Sequence, residues 1–418
     1  MGLSMDLKEQ SVIISSCIAQ RVVHLPFIEN AVMKSANLSP SRGQAPWNPA
    51  SLADGIPGIW LLFAEWDQLE PENGWKERIH HHVLSLFENM TFRTPDLTLF
   101  SGVTGLSYGL LIASDHRSNY SQARANLNHV IASHFTNHTL EASGLDALEI
   151  INGLSGAGRY ILESYQDEGI CEIAEPFFAM LVKEAHSFMD GIRSSAPDTI
   201  RLGMAHGLAG ILALLVTALH KGFEVEGLHI AIDRMADYLA QQIRRDRFGL
   251  YWPVSPGRNL QWSKEEREET REIEGWCHGT LGISVTLMRA GIFCGKEPWK
   301  ALADEAARSV FRLGDDELNA MTPSFCHGLA GLLHLSNLVY NLSGNEEAAL
   351  FSDRVAGKLI RMFDESLPFG YQDLEDAVSI DNPGLLQGAV GIALSLLDYG
   401  RWDDPKYLGK WKEVFLVS

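Results

Sequence analysis

The sequence predicts an all-α protein, an α/α toroid of seven inner and seven outer helices. Three observations lead there. A Gly-x-x-Gly unit recurs seven times, at Gly55/Gly58, Gly102/Gly105, Gly153/Gly156, Gly207/Gly210, Gly279/Gly282, Gly328/Gly331 and Gly388/Gly391. Successive first glycines are 47, 51, 54, 72, 49 and 60 residues apart, a spacing that suits one helix pair per unit. Each unit runs into apolar sequence, as in GLAGILALL, while the stretches between have polar faces, as in RMADYLAQQIRRD. A single Gly-x-x-Gly carries no information; seven in register specify a repeat.

The residue before each first glycine is polar in every copy: Asp54, Ser101, Asn152, His206, His278, His327 and Gln387. Asp, Ser and Asn are favoured helix N-caps, so each unit reads as a cap followed by a tightly packed inner helix. The glycines permit close approach between neighbouring helices. After each inner helix the remaining ~25–40 residues accommodate one outer helix and its connections, at a usual helix length of ~11–12 residues. An open solenoid needs polar capping repeats, yet the last unit, GLLQGAVGIALSLLDYG, stays apolar. A closed ring follows. Its inner helices run parallel, so their N-termini gather at one end and favour an anion there, by ~0.3–1 kcal/mol each. The 72-residue gap breaks the period. Residues 241–276, with strand-like FGLYWPV and the charged run SKEEREETREIE, read as an insertion over the cavity mouth of one domain spanning 1–418.

Of the 418 residues, 46% are hydrophobic and 21% charged, enough for a large core. The net charge of −19 argues against nucleic acid or an anionic membrane surface as the main partner. The longest apolar stretch, Gly210 to Leu219, is too short to span a bilayer, so direct membrane insertion is not expected. Five cysteines do not make a disulfide framework in a chain this long, and a cytoplasmic location is expected.

The chemistry concentrates in two Cys-His pairs. Cys277-His278 and Cys326-His327 lie 49 residues apart, in GWCHGTLG and SFCHGLAG, and MAHGLAG places His206 in the same slot without a cysteine. Thiolates and imidazoles at the heads of equivalent helices point to a zinc site assembled between repeats. The two cysteines are the firmest ligands. Spacing leaves open which of His206, His278 and His327 completes the site. Cys17, Cys171 and Cys294 read as ordinary packing residues.

The segments AHGLAG, WCHGTLG and CHGLAG resemble signatures of the lanthionine synthetase C-like cyclases, and the glycine repeats extend the likeness over most of the chain. The resemblance implies the same seven-plus-seven toroid, with one zinc per chain on Cys277, Cys326 and His327. It implies acid–base work for His206 and places Glu149 where the family usually has Asp. Three positions depart from the pattern: Ile273 stands where many cyclases have Arg, His278 where bacterial cyclases often have Tyr, and Leu281 where Pro is common. Arg271, two positions before Ile273, and Glu149 are candidates to steady an enolate or the histidine; His278 is a second candidate proton donor. The implied activity is a zinc-dependent peptide cyclase adding cysteine thiols to dehydroalanine or dehydrobutyrine in a lantibiotic precursor peptide that carries a leader. Its implied partners are a dehydratase and a peptide exporter, which would hold it near the membrane. The alternative is a LanC-like protein that binds glutathione or adds it to dehydroamino residues.

Overall fold

The structure is a computed structural model and describes residues 6–34, 36–89, 96–114, 118–137, 144–192, 195–257, 274–319 and 321–417. After α1 (Leu7–Arg21) and α2 (Leu25–Val32), the helices alternate between two layers. The inner layer holds α3 (Ile56–Leu69), α5 (Val103–Ala113), α7 (Leu154–Ser164), α9 (Leu208–His220), α11 (Thr280–Cys294), α13 (Leu329–Ser343) and α15 (Ala389–Arg401). The outer layer holds α4 (Trp75–Asn89), α6 (Ser121–Asn137), α8 (Cys171–Gly191), α10 (Leu228–Gln241), α12 (Glu297–Phe311) and α14 (Glu346–Met362). Each inner helix packs on the next, and α15 returns to α3, so the ring is closed. The inner helices are apolar all round: Leu208 to Ala218 of α9 are all buried. The outer ones are amphipathic; α14 buries Phe351, Val355 and Leu359 and turns Glu346 and Arg354 outward.

The seventh outer position is a departure from the expected order. No long helix follows α15; α1 packs against it instead, so the chain's first helix supplies the outer partner of its last repeat. An extra Cβ on Gly400 of α15 would lie 2.6 Å from Val12 Cγ2, which measures how closely the two helices meet.

A second departure is at the helix starts. The N-cap is the first glycine itself, and none of the seven inner helices has a side-chain cap bond from that residue. The preceding loop coils too tightly for the polar residue to reach back. In every repeat a Cβ on the second glycine would meet the carbonyl oxygen six residues earlier, at 1.8 Å for Gly105 and Leu99 and 2.1 Å for Gly331 and Phe325. The Gly-x-x-Gly is therefore the footprint of one recurring loop. Its polar residue, released from capping, turns to the mouth of the ring.

Main-chain hydrogen bonds join these loops around the mouth. Ala53 donates to Phe100 (2.9 Å), Ile150 to Ala205 (3.2 Å), Ala205 to Cys277 (3.2 Å), Cys277 to Cys326 (2.9 Å), Cys326 to Leu386 (2.8 Å) and Leu386 to Ala53 (3.3 Å). The interior of the barrel is filled by residues 407–417, whose Trp411, Val414, Phe415 and Val417 are wholly buried. Fully buried Arg159 binds the Glu413 carbonyl and carboxylate, both at 2.6 Å, and Arg289 binds the Leu416 carbonyl at 3.0 Å. The described part of the insertion is a two-stranded ribbon, β1 (Arg244–Arg245) antiparallel to β2 (Leu250–Tyr251), lying against α12. It then reaches back to the mouth, where Val254 accepts the Leu202 N–H at 2.9 Å. No single described helix is long and apolar enough to cross a membrane.

Candidate metal centre

Cys277 and Cys326 occupy the same slot, two residues before the first glycine, in adjacent loops of this belt. The Cys277 N–H to Cys326 carbonyl bond sets their backbones side by side, so both side chains leave from one edge. The ligand atoms of Cys277, Cys326 and His327 all lie within 4.8 Å of one another. Tetrahedral zinc with bonds of about 2.3 Å to sulfur needs sulfurs about 3.8 Å apart, a rotamer adjustment away. Two sulfurs and one imidazole are donors zinc favours. His206 and His278 stand outside this group, so geometry supports His327 as its third member.

The Cys326 thiol donates to the Cys277 sulfur and His327 approaches it as well, which outweighs burial and holds Cys277 well below the usual thiol range. The same contact pushes Cys326 up. Burial works against a charged His327, but the hydrogen bond and charge of Cys277, with Asp373 behind, raise it.

The sequence reading missed three neighbours. Asp373, on β3 (Asp373–Glu375) of a hairpin with β4 (Val378–Ile380), puts Oδ1 4.0 Å from His327 Nε2. Its residue is 3% exposed, and neither carboxylate oxygen has a donor in hydrogen-bonding geometry. Arg42 enters from the loop before α3 and bridges Asp54 (2.6 Å) to Gln387 (2.8 Å), near enough for its charge to interact with Cys326. Glu274 caps α11 by accepting from Thr280 N at 2.6 Å and Thr280 Oγ1 at 2.8 Å, four residues from His278. None belongs to a repeated motif, so no spacing rule could have found them.

Across the mouth, His206 Nδ1 lies 3.1 Å from Glu149 Oε2. Glu149 is wholly buried and held by its own loop, accepting from Ile151 N at 2.7 Å and Asn152 N at 2.6 Å. The backbone carbonyl of His206 is held in turn by Arg201 Nε at 2.8 Å, and Arg201 pairs with Asp146. His278 stands between this pair and the sulfurs: its ring centroid is 6.4 Å from that of His206, and its charge lowers the Cys277 pKa further. His278 Nδ1 is buried without a partner. Arg271 lies outside the described residues. The mouth thus has two flanks around the sulfurs, a carboxylate-backed histidine on one side and the Asp373–Arg42 cluster on the other.

The chain is 24% identical over 392 residues to the nisin biosynthesis protein NisC of Lactococcus lactis subsp. lactis, covering 88% of each chain. A solved structure of nisin cyclase superposes with a TM-score of 0.67 at 18% identity, over 97% of this chain and 96% of that one. The lanthionine synthetase C-like protein family matches residues 46–416, nearly the entire ring and the mouth apart from Arg42, and the chain belongs to that family.

Proposed function

We propose that this chain is a zinc-dependent lanthionine cyclase: it joins cysteine thiols of a dehydrated precursor peptide to dehydroalanine or dehydrobutyrine, forming thioether rings. The observation that carries the reading is the pairing of a three-donor sulfur–imidazole site with a buried carboxylate–histidine pair across one open mouth. Cys277, Cys326 and His327 would hold the zinc, which with three protein ligands would keep a fourth position open and supply Lewis acidity to a substrate thiol.

Ionisation alone supplies little. A thiol of pKa about 8.5 is already about 3% thiolate at pH 7, so complete deprotonation gains roughly thirtyfold. Orientation carries the rest, because attack becomes intramolecular within the mouth. Addition of sulfur to the alkene leaves an enolate that needs one proton at its α-carbon. His206 delivers it: Glu149 Oε2, 3.1 Å from Nδ1, holds that side of the ring and leaves Nε2 as the nitrogen that donates. His278, whose ring centroid is 6.4 Å from that of His206, is a second candidate donor of that proton. Arg271 remains a candidate to hold the enolate oxygen. A dehydratase and an exporter would be its pathway partners, in the cytoplasm beside the membrane.

The test incubates zinc-loaded protein with a dehydrated precursor peptide and counts alkylatable thiols by mass spectrometry. Loss of one thiol per ring without mass change supports cyclisation, and Cys277→Ala should abolish it. Unchanged thiol counts with fully metallated protein would end the proposal. Supplying glutathione in parallel separates the alternative, which the His278 form of the WCHG motif favours: a mass gain of one glutathione per dehydroamino residue marks intermolecular addition.

A further inference from the structure

Both metal-site cysteines follow a large aromatic residue, Trp276 and Phe325, and both aromatics are wholly buried. They meet on one ring from a distant part of the chain. Phe415 lies 4.0 Å from Phe325 and 5.1 Å from Trp276, centroid to centroid, and its carbonyl accepts the Trp276 indole N–H at 3.1 Å. The carbonyls of Trp276 and Phe325 are at the same time pressed onto Gly282 and Gly331, where a Cβ would lie 3.0 and 2.1 Å away. Each cysteine therefore sits directly after a residue clamped on both its backbone and its ring.

We infer that Phe415 is a positioning residue of the metal centre, the wedge against which Trp276 and Phe325 set the separation of the Cys277 and Cys326 sulfurs. The structure around it is built to hold that wedge in place. Leu416, the next residue, takes a left-handed backbone (φ 59°), which a leucine adopts only when its surroundings enforce it. Arg289 holds its carbonyl, Arg159 holds Glu413, and Glu65 accepts the N–H groups of Gly409 and Trp411 at 3.1 and 3.0 Å. Buried charges contribute little net stability but enforce one arrangement. Here that arrangement is the depth and orientation of Phe415 beneath the sulfurs.

The inference rests on the metal reading and is independent of the cyclisation chemistry, so its test uses metal binding alone. In the full-length chain, zinc affinity is measured by competition with a chromogenic chelator, and the ligand field is read from the absorption of the cobalt form. Phe415→Ala should weaken zinc about tenfold or more and broaden the cobalt bands, the scale seen when an outer contact of a metal ligand is lost. Phe415→Leu, which keeps most of the apolar volume, should fall between. Val417→Ala is the control, equally buried in the same segment but outside the aromatic cluster: it should lower the melting temperature and leave zinc affinity unchanged. Wild-type affinity in both Phe415 variants, or zinc loss in Val417→Ala matching that in Phe415→Ala, overturns the inference. A wild-type protein that takes up no zinc overturns the metal reading itself, a separate outcome.

Discussion

At the scale of residues, the proposed reaction divides labour in the mouth between groups that would hold a metal and groups that would move a proton. His206→Asn should keep one zinc per chain yet lower the cyclisation rate about 10²–10⁴-fold, the usual contribution of a positioned acid; full activity in that variant rules out the acid role. Asp373 makes a different prediction. A metal-bound histidine ordinarily donates its other N–H to a carboxylate, and Asp373 is the buried acid facing His327 Nε2. Asp373→Asn should reduce zinc affinity about 10–100-fold in chelator competition with the fold intact, and unchanged affinity would show that His327 is oriented by other contacts. Cys277 and Cys326 stood out as candidates because they repeat in register, whereas His206, His278 and His327 share one slot and only the family resemblance singled out His327. Asp373 and Arg42 did not stand out, because they arrive on a hairpin and a loop that share no pattern with the repeats.

Among the elements, the recurring loop before each inner helix matters most. Its tight coil explains why the glycines are needed and why the expected polar caps do not form. Gly331→Ala should destabilise the protein by about 1–3 kcal/mol or more, since its Cβ would have to displace the Phe325 carbonyl next to Cys326. It should also weaken zinc. Gly191→Ala, with nothing within 4 Å of the added carbon, should be neutral or gain up to ~1 kcal/mol in the last turn of α8. Equal urea midpoints for the two variants would contradict the close-packed loop. The period of the glycines made these elements readable, whereas the direction of the polar residue between them depended on a backbone path that no propensity encodes.

The whole molecule is a ring closed where α15 packs on α3, with α1 as its seventh outer helix and residues 407–417 as a plug, and the plug has a pH signature. Burial pushes the Glu65 carboxyl up to about 7, against the lowering effect of its hydrogen bonds from Trp411 and Gly409. A carboxyl raised on folding holds its proton in the native state while the unfolded chain has lost it, so its stabilisation is complete below about 4.5 and is lost as pH rises towards 7. The span amounts to on the order of 3 kcal/mol. His82, which burial lowers to about 4, works the other way: its contribution is present above its ordinary value near 6.5 and is lost as pH falls through 4. The two offset each other in the wild type. Glu65→Gln should therefore gain stability relative to wild type as pH rises from 5 to 7 in urea titrations; a pH-independent difference between the two proteins refutes the assignment.

Seven recurring glycine pairs were enough to foresee an α/α ring, and two Cys-His dipeptides were enough to propose a zinc-type site at the heads of its inner helices. Repetition made this possible, because a local pattern copied seven times reports the packing of each copy against the next. Closure of the ring by α15 on α3, the packing of α1 against α15, the contacts of Phe415 with Trp276 and Phe325, the carboxylate behind His327 and the placement of His206 against Glu149 were settled by tertiary structure alone. Each joins segments that are far apart in the chain and carry no shared pattern. Their proximity arises only when the main-chain belt draws the seven loops together and the barrel below them is filled.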